Sequence, residues 1–269
     1  MNKKEREFVK TVWDYYERHG RRSLPWRKTK NPYRILVSEI MLQQTQVDRV
    51  IPKYNAFLKR FPTVTVLGDA SLGDVLREWQ GLGYNRRAKM LHECAKQILV
   101  DYEGKVPKGY AELLSLRGVG PYTAGAVMAF AYNSGIPIIE TNIRTVFIHH
   151  FFNDDADITD AQLFHSIGIV LDTKNPRDWY YALMDYGSHL KQSVGNQNVR
   201  SAHYTKQSTF KNSDRQIRGA ILKILILGGM TRSALHKGLS FDIQRIDVQI
   251  ERLKEEGMIV MKGQKYRLP

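Results

Sequence analysis

The chain has 269 residues, and its 41 lysines and arginines exceed its 27 acidic residues, a formal charge of +14 that favours nucleic acid as the partner. No apolar run approaches the ~18 residues of a membrane-spanning helix, and the mixed-charge N-terminus has no signal-peptide core. A single cysteine, Cys94, excludes an internal disulfide and cannot by itself hold a zinc ion or an iron–sulfur cluster. These features predict a cytoplasmic protein that does not bind membranes.

Helical periodicity dominates the chain, and alternating strand patterns are scarce before the last dozen residues. Asn31 is a good N-cap and Pro32 a good first helical residue, so we predict one helix from there as far as Ile51 and Pro52. Glycine, proline and aspartate residues separate further predicted helices around 71–80, 86–102, 109–115, 121–133, 141–151, 160–172 and 176–190.

The C-terminal part differs from the body in composition. Residues 191–213 have little apolar content and no clear period, which is typical of a linker. Three helical patterns follow, in "RQIRGAILKILIL", "TRSALHKGL" and "SFDIQRIDVQIERLKEEG", and then two short strands around Gly263. We therefore predict a body at 1–190 and a small winged-helix-like (α+β) domain at 214–269.

The most informative local pattern is "LLSLRGVGPYTAGAVMAFAY", which begins at Leu113. Gly118 and Gly120 interrupt helical sequence, and Pro121 and Thr123 restart it, as in a helix-hairpin-helix. The glycines let the backbone approach a ligand closely, and the N–H groups at the start of the second helix suit a phosphate oxygen. An ordinary helical corner is the alternative, but the basic charge favours DNA contact through Gly118, Gly120 and Thr123.

Together with other motifs, this pattern resembles the helix-hairpin-helix DNA glycosylases, and among them the adenine glycosylases that act opposite oxidised guanine. The similar blocks follow the family's order over roughly residues 20–190: "LPWR", "SEIMLQQTQV", "GLGYNRRA", "LRGVGPYTAGAV", "PIIETNIRTV" and "ALMDYGS". The resemblance implies an all-α helix-hairpin-helix glycosylase fold of two helical lobes with a DNA cleft between them.

Glu39 lies beside an apolar stripe in "LVSEIMLQQTQVDRV". In an apolar pocket its pKa would be raised, so that it could protonate a purine ring nitrogen and then help to activate water. A capping or salt-bridged glutamate is the alternative interpretation. Gln44 resembles the family's residue that fills the hole left by a flipped base, with Gln43 beside it on the DNA face, although both could belong to a polar core network.

Glu140 occupies the position of the family's aspartate, which stabilises the cationic sugar, and Asn142 matches the neighbouring asparagine. Because glutamate is one methylene longer, either the pocket is adjusted, the substrate differs or catalysis is impaired. A surface glutamate that caps the next helix is the alternative. Tyr122 replaces the lysine whose amine forms a Schiff base in bifunctional relatives, which implies an enzyme without lyase activity; a core tyrosine is the alternative.

The resemblance also assigns residues outside the catalytic set. Tyr84 resembles the tyrosine that intercalates beside the mispaired purine, although an aromatic residue in a loop is more often packed. Arg86 and Arg87 are expected either to contact phosphate or to be solvated. The block "LPWR" supplies the predicted residues of the substrate pocket: Leu24, Trp26 and Arg27.

Two features depart from the family. The four cysteines that usually bind a [4Fe–4S] cluster after "ALMDYGS" are missing, so we expect no cofactor. The usual Nudix-like domain is also missing. Residues 205–269 take its place, with thirteen lysines and arginines against six acidic residues, a net charge of +7. We expect this tail to add nonspecific DNA affinity; inspection of the partner base and contact with a protein are alternatives.

The sequence thus predicts a monomeric, nucleoid-associated glycosylase of base excision repair that acts on double-stranded DNA with a mismatch or a damaged base. The base released is expected to be adenine opposite guanine or 8-oxoguanine. Release of thymine or uracil from mismatches, or of another damaged base, is one alternative. A DNA-binding protein without catalytic activity is the other.

Overall fold

The computed structural model describes residues 1–152 and 155–269, which are predominantly helical. The helices before the hairpin glycines are α1 (Lys3–His19), α2 (Pro32–Leu42), α3 (Val47–Arg60), α4 (Val64–Asp69), α5 (Leu72–Glu78), α6 (Arg86–Asp101) and α7 (Tyr110–Ser115). The helices after them are α8 (Pro121–Tyr132), α9 (Thr141–Phe151), α10 (Asp160–Val170), α11 (Pro176–Ser193), α12 (Asp214–Leu227), α13 (Arg232–Gly238) and α14 (Ile243–Glu255). Short 3-10 helices cover Pro25–Lys28 and Gln197–Arg200.

The last elements are two antiparallel strands, β1 (Val260–Lys262) and β2 (Lys265–Arg267), in which Met261 pairs with Tyr266. The predicted mainly helical fold is confirmed, as are three helices and a hairpin at the C-terminus. Side-chain caps explain where the C-terminal helices begin, because Ser213, Thr231 and Asp242 each accept a hydrogen bond from a backbone N–H of the first turn.

The prediction of one continuous helix up to Pro52 was wrong. α2 ends at Leu42 and α3 begins at Val47, and Gln44 in the intervening turn has a left-handed φ of 54°. Pro52 lies inside α3, which continues to Arg60. Burial of the apolar face of α3, which includes Val50 and Phe57, offsets the backbone hydrogen bond that a proline cannot donate.

The helix α1 did not stand out in the mixed-charge N-terminal sequence. It begins with a capping box formed by Asn2 and Glu5, and it buries Phe8, Val12 and Tyr16, which are spaced four residues apart on one face. Its exposed face carries the charges, which is why the sequence there has no long apolar stretch. None of the described helices is both long and apolar enough to cross a membrane.

The contacts divide the chain into two compact units. The first contains residues 1–39, 106–115 and 119–206, where α9 and α1 both pack against α11 around fully buried Trp179 and Phe147. The second contains residues 40–105, 116–118 and 207–269, where α4 and α5 pack against α6, and α12 packs against α14. Residues 207–269 therefore group with the helices of 40–105, and the predicted linker contains the last turn of α11 and a 3-10 helix.

Candidate active site and nucleic-acid interface

Glu39 lies on a face of α2 that is otherwise apolar, and its side chain is only 5% exposed. The hydroxyl of Tyr122, on the first turn of α8, donates a hydrogen bond of 2.7 Å to its Oε2. Burial raises the pKa of Glu39 to about 7; the hydrogen bond from Tyr122 opposes this rise, and the charge of Glu140 adds to it. The two predicted catalytic residues are therefore in contact, and Glu39 retains a proton at neutral pH in a large part of the molecules.

Glu140 is the N-cap of α9. Its Oε1 accepts hydrogen bonds of 2.8 Å from the backbone N–H groups of Asn142 and Ile143, and the Asn142 amide donates to Oε2 at 3.3 Å. Burial raises the pKa of Glu140, whereas these three hydrogen bonds oppose that rise because they favour the ionised form. Both carboxyl groups therefore have raised pKa values, and they differ in their contacts: Glu39 accepts one hydrogen bond from a phenol, whereas Glu140 accepts three from the start of α9.

Gly187 on α11 explains how Asn142 and Glu140 are held. A Cβ atom at position 187 would lie 2.2 Å from the Asn142 carbonyl oxygen and 2.8 Å from its Cβ. Only glycine allows α11 to approach the first turn of α9 this closely. The motif "ALMDYGS" therefore positions the loop that carries Glu140.

Asp185 in the same motif is a buried charged residue that no sequence motif singled out. It is buried, and it forms a bidentate pair with Arg27, with distances of 2.7 and 2.8 Å. Burial would raise the pKa of Asp185, but the hydrogen bonds and charge of Arg27, together with Arg21, hold it below its ordinary value. The Arg27 guanidinium also lies 4.4 Å from the centre of the Tyr181 ring. Arg27 and Asp185 are 158 residues apart in sequence, so no local sequence pattern predicts that they form a pair.

The other residues predicted for the substrate pocket are buried: Leu24 is 7% and Trp26 is 4% exposed. Arg27 lines a separate cavity of about 410 Å³ with Trp13, Tyr16 and Tyr181 among its neighbours. Charge from Arg27 lowers the pKa of Glu39, which places the guanidinium within electrostatic reach of the acid. Arg27 therefore interacts electrostatically with Glu39.

In the second unit, the predicted DNA-binding residues converge on one cavity of about 980 Å³. Gln44 and Tyr84 have φ values of 54° and 46°, in the left-handed region that residues other than glycine seldom adopt. Gly81 and Gly83 have φ values of 92° and 71° and shape the turn before Tyr84. The cavity lining contains six of the predicted residues: Gln43, Gln44, Tyr84, Arg86, Arg87 and Gly118.

The two hairpin glycines, Gly118 and Gly120, lie in different structural surroundings. Gly118 has a φ of 76°, and a Cβ there would lie 2.6 Å from the Cβ of Met90. Gly120 is the N-cap of α8 with extended backbone, and a Cβ there would meet no described atom within 4 Å. Thr123 is 2% exposed, so contact with a phosphate would involve its backbone rather than its side chain. Gly120 therefore leaves open space in front of the helix start.

Arg87 and Arg86 are neighbours with different surroundings. The Arg87 guanidinium donates to the carbonyl oxygens of Ile40 and Met41 at 2.9 and 3.0 Å, and also to those of Gln43, Leu82 and Gly83. Burial lowers its pKa to about 10, which leaves it charged at neutral pH. Arg86 is exposed and forms no salt bridge within residues 1–152 and 155–269. Arg87 ties the end of α2 to the loop before Tyr84, whereas Arg86 faces solvent.

We expect substitutions of these two arginines to affect different properties, stability for Arg87 and DNA binding for Arg86. Arg87→Lys should lower the free energy of unfolding by about 2–3 kcal/mol, because an ammonium group cannot reach the same carbonyl oxygens. Arg86→Ala should change it by less than about 0.5 kcal/mol but reduce the log–log salt slope of DNA binding by about 0.9. Urea unfolding and fluorescence anisotropy at several salt concentrations measure the two quantities. Equal stability loss in both variants would contradict this division.

The [4Fe–4S] cluster that the sequence resemblance raises does not fit this chain. Such a cluster requires four cysteine thiolates, and the chain has one cysteine. Cys94 is buried in α6, where burial raises the pKa of its thiol to about 12. Among the described residues, no group of three histidine, cysteine, aspartate or glutamate side chains could hold a metal ion.

Comparisons with known proteins place this geometry in context. Residues 37–167 match the family model described as HhH-GPD superfamily base excision DNA repair protein. The chain is 35% identical over 262 residues to the adenine DNA glycosylase of Mycolicibacterium smegmatis, covering 90% of this chain and 89% of that protein. It is 38% identical over 182 residues to that of Buchnera aphidicola subsp. Baizongia pistaciae, covering 67% of this chain but only 52% of that protein.

Among solved structures, a thermostable thymine-DNA glycosylase aligns with a TM-score of 0.62 and 28% identity, over 70% of this chain and 87% of that one. An endonuclease III trapped in a covalent complex with DNA aligns with a TM-score of 0.60 and 18% identity, over 70% of this chain and 88% of that one. The second likeness concerns the fold alone.

Proposed function

Because this chain belongs to the helix-hairpin-helix superfamily of base excision DNA repair proteins, we propose that it is a monofunctional DNA glycosylase that releases adenine opposite guanine or 8-oxoguanine. The observation that carries the proposal is the buried pair of Glu39 and Tyr122, with a Glu39 pKa of about 7. An acid with this pKa can donate a proton near neutral pH, which is what a purine leaving group requires. The relatives named adenine DNA glycosylase support the same substrate.

In the proposed reaction, the carboxyl group of Glu39 protonates a ring nitrogen of the flipped adenine, and the C1′–N9 bond then breaks. The neutral base leaves with that proton, and the sugar becomes an oxocarbenium-like cation. The Glu140 carboxylate stabilises this cation electrostatically. Water adds to C1′, and its proton returns to the Glu39 carboxylate, which regenerates the acid and leaves an abasic site.

Asn142 and Tyr122 are proposed to position the two carboxyl groups. The Asn142 backbone and side chain both donate to Glu140, and Tyr122 fixes the orientation of Glu39. Gln43, Gln44, Tyr84 and Arg86 are proposed to contact the duplex, as are the backbone groups near Gly118, Gly120 and Thr123. We further propose that the protein acts as a monomer, without a cofactor, on the DNA of the nucleoid, in keeping with its charge of +14.

Tyr122 predicts the chemistry of the product. A phenol cannot form a Schiff base with the sugar, so borohydride should trap no complex that depends on a single lysine. The abasic strand should remain intact until alkali is added. These outcomes are measured by denaturing gel electrophoresis of labelled duplexes. A strong trapped band that disappears on mutation of one lysine would overturn the monofunctional assignment.

A second candidate function is release of thymine from mismatches with guanine, which the likeness to the thymine-DNA glycosylase structure favours. A panel of duplexes with adenine, thymine, uracil or a damaged base opposite guanine or 8-oxoguanine distinguishes the candidates. Preferential release of adenine supports the main proposal, and preferential release of thymine supports the second. Tight duplex binding with no release from any member would make the protein a DNA-binding protein without catalysis and refute both.

A further inference from the structure

The C-terminal tail contacts Gln44 and Tyr84, the two residues other than glycine that line the cavity of the second unit with left-handed backbone conformations. The Arg215 guanidinium, on the first turn of α12, donates a hydrogen bond to the hydroxyl of Tyr84 and lies 5.3 Å from the centre of its ring. The Gln207 amide donates to Oε1 of Gln44 at 3.2 Å. Phe210 is 62% exposed and lines the same cavity. The tail therefore completes a site that the helices of 40–105 begin.

The chemistry of the cavity fits a nucleotide base. The exposed Phe210 offers a ring face on which a base can stack, and stacking of this kind is worth about 1–3 kcal/mol per base. The Tyr84 ring beside it already has the guanidinium groups of Arg87 and Arg215 at 5.4 and 5.3 Å from its centre. Arg215 has N–H donors left over after its bonds to Tyr84 and Ser208. Acidic Glu256 is already paired with Arg218 at 2.6 Å. The exposed Arg49 and Arg86, which form no salt bridge in the described part of the chain, can take the flanking phosphates.

Backbone strain is a second sign of a functional site here. Gln44 and Tyr84 are neither glycine nor asparagine, yet both hold positive φ values. Arg87 fixes the two turns by hydrogen bonds to the carbonyl oxygens of Gln43 and Gly83. Such conformations cost of order 1–3 kcal/mol each and persist where the surrounding structure holds a binding group in place. The amide of Gln44 and the ring of Tyr84 are thus presented to the cavity before any ligand binds.

We propose that this cavity binds the base opposite the excised one, that this base is a guanine-type purine, and that Arg215 determines the preference. This inference rests on the proposed function. The guanidinium fork matches adjacent acceptors such as O6 and N7 of guanine, whereas adenine presents an amino donor at position 6. In oxidised guanine, position 7 carries an N–H, so Arg215 keeps only the O6 acceptor, and the amide oxygen of Gln207 can accept a hydrogen bond from the N–H at position 7. The tail then reads the partner base as well as adding charge.

The contacts of Arg215 and Gln207 separate this role from nonspecific affinity. Neutralisation of phosphates by the tail would not require hydrogen bonds from Arg215 to Tyr84 and from Gln207 to Gln44. Lys223 provides the matched control, because it lies on the same helix, carries the same charge, is exposed and does not line the cavity. Arg215→Lys keeps the charge but loses the fork, and Arg215→Ala removes both.

The experiment measures Kd by fluorescence anisotropy for the full chain and duplexes that carry a tetrahydrofuran abasic analogue. The partner position holds guanine, 8-oxoguanine, adenine or a second tetrahydrofuran. Wild-type protein should prefer the two guanine-type partners over the second tetrahydrofuran, and both Arg215 variants should reduce this ratio about tenfold. Lys223→Ala should weaken binding to all four duplexes equally and leave the ratio unchanged. Circular dichroism melting confirms that each variant is folded.

A preference that persists in both Arg215 variants would overturn the inference. So would an equal loss of affinity for all four duplexes, which would make Arg215 a phosphate contact like any other lysine or arginine. Base release by the wild-type protein is measured in parallel on duplexes with adenine opposite 8-oxoguanine. Absence of release would refute the proposed function alone, because the binding ratio requires no chemistry.

Discussion

Replacing Glu39 with glutamine should lower the single-turnover rate constant of base release by about a thousandfold, while the affinity for duplex DNA stays nearly unchanged. The amide has the shape of the carboxyl group and can still accept the hydrogen bond that Tyr122 donates at 2.7 Å. It cannot deliver a proton to the leaving base. Rapid-quench kinetics with enzyme in excess and anisotropy binding measure the two effects, and undiminished turnover would remove Glu39 from the mechanism.

The pH dependence provides an independent test of the same residue. Because Glu39 must be protonated to act and its pKa is about 7, the wild-type rate constant should fall tenfold per pH unit above that value. The residual activity of Glu39→Gln should lack this decline. A wild-type profile that stays flat between pH 7 and 9 would contradict the role of Glu39 as the acid.

The same pKa shift predicts that Glu39→Gln stabilises the fold. The folded pKa of about 7 exceeds the ordinary value of 4.5, so the folded state binds more protons than the unfolded state between these values. Wild-type stability therefore falls as pH rises through this window. Glu39→Gln should raise the free energy of unfolding by about 3 kcal/mol above pH 7 and hardly change it below pH 4.5. Urea unfolding at the two extremes measures the difference.

The second large effect is expected at Glu140. Glu140→Ala should reduce base release by about 10²–10³, because the cationic sugar loses the anion that stabilises it. It should also destabilise the protein by about 1 kcal/mol, because the first turn of α9 loses its cap. Single-turnover kinetics and urea unfolding separate these two losses. A variant as active as wild type would make the carboxylate purely structural.

Two further substitutions distinguish charge from capping. Glu140→Gln keeps an oxygen that can accept from the N–H groups of Asn142 and Ile143, so it should retain stability but lose activity. Glu140→Asp restores the family residue and remains a good N-cap, so activity should be retained or improved if the family geometry is still accessible. Equal activity of wild type and Glu140→Gln would show that capping suffices.

Local signals predicted most of the helices. Proline at the first position of α8 and α11 and glycines around the hairpin mark boundaries that the structure confirms. The break after Leu42 could not be predicted, because "QQTQ" contains neither glycine nor proline and the left-handed conformation of Gln44 depends on tertiary contacts. Hydrogen bonds from Arg87, more than 40 residues away in sequence, hold that turn in place.

For the site as well, local sequence patterns predicted individual residues but not the tertiary contacts between them. Glu39 and Tyr122 came from blocks that resemble a known family, and the structure adds that their side chains touch. Asp185 could not be predicted, because it is distinguished by its ion pair with Arg27, which is 158 residues away in sequence. The contact of Arg215 with Tyr84 joins positions 131 residues apart, on either side of the predicted linker at 191–213. Hydrophobic periodicity and helix caps depend on residues close together in sequence, so they do not predict contacts between residues far apart in sequence.

The buried state of Cys94 has a consequence for the conditions under which this protein can work. Reaction with peroxide, disulfides or alkylating reagents requires an accessible thiolate. The only thiol of the chain is buried and has a pKa of about 12, so the folded protein offers these reagents no reactive sulfhydryl group. Thiol-directed reagents should therefore leave the folded protein unmodified and react with Cys94 only when the protein unfolds.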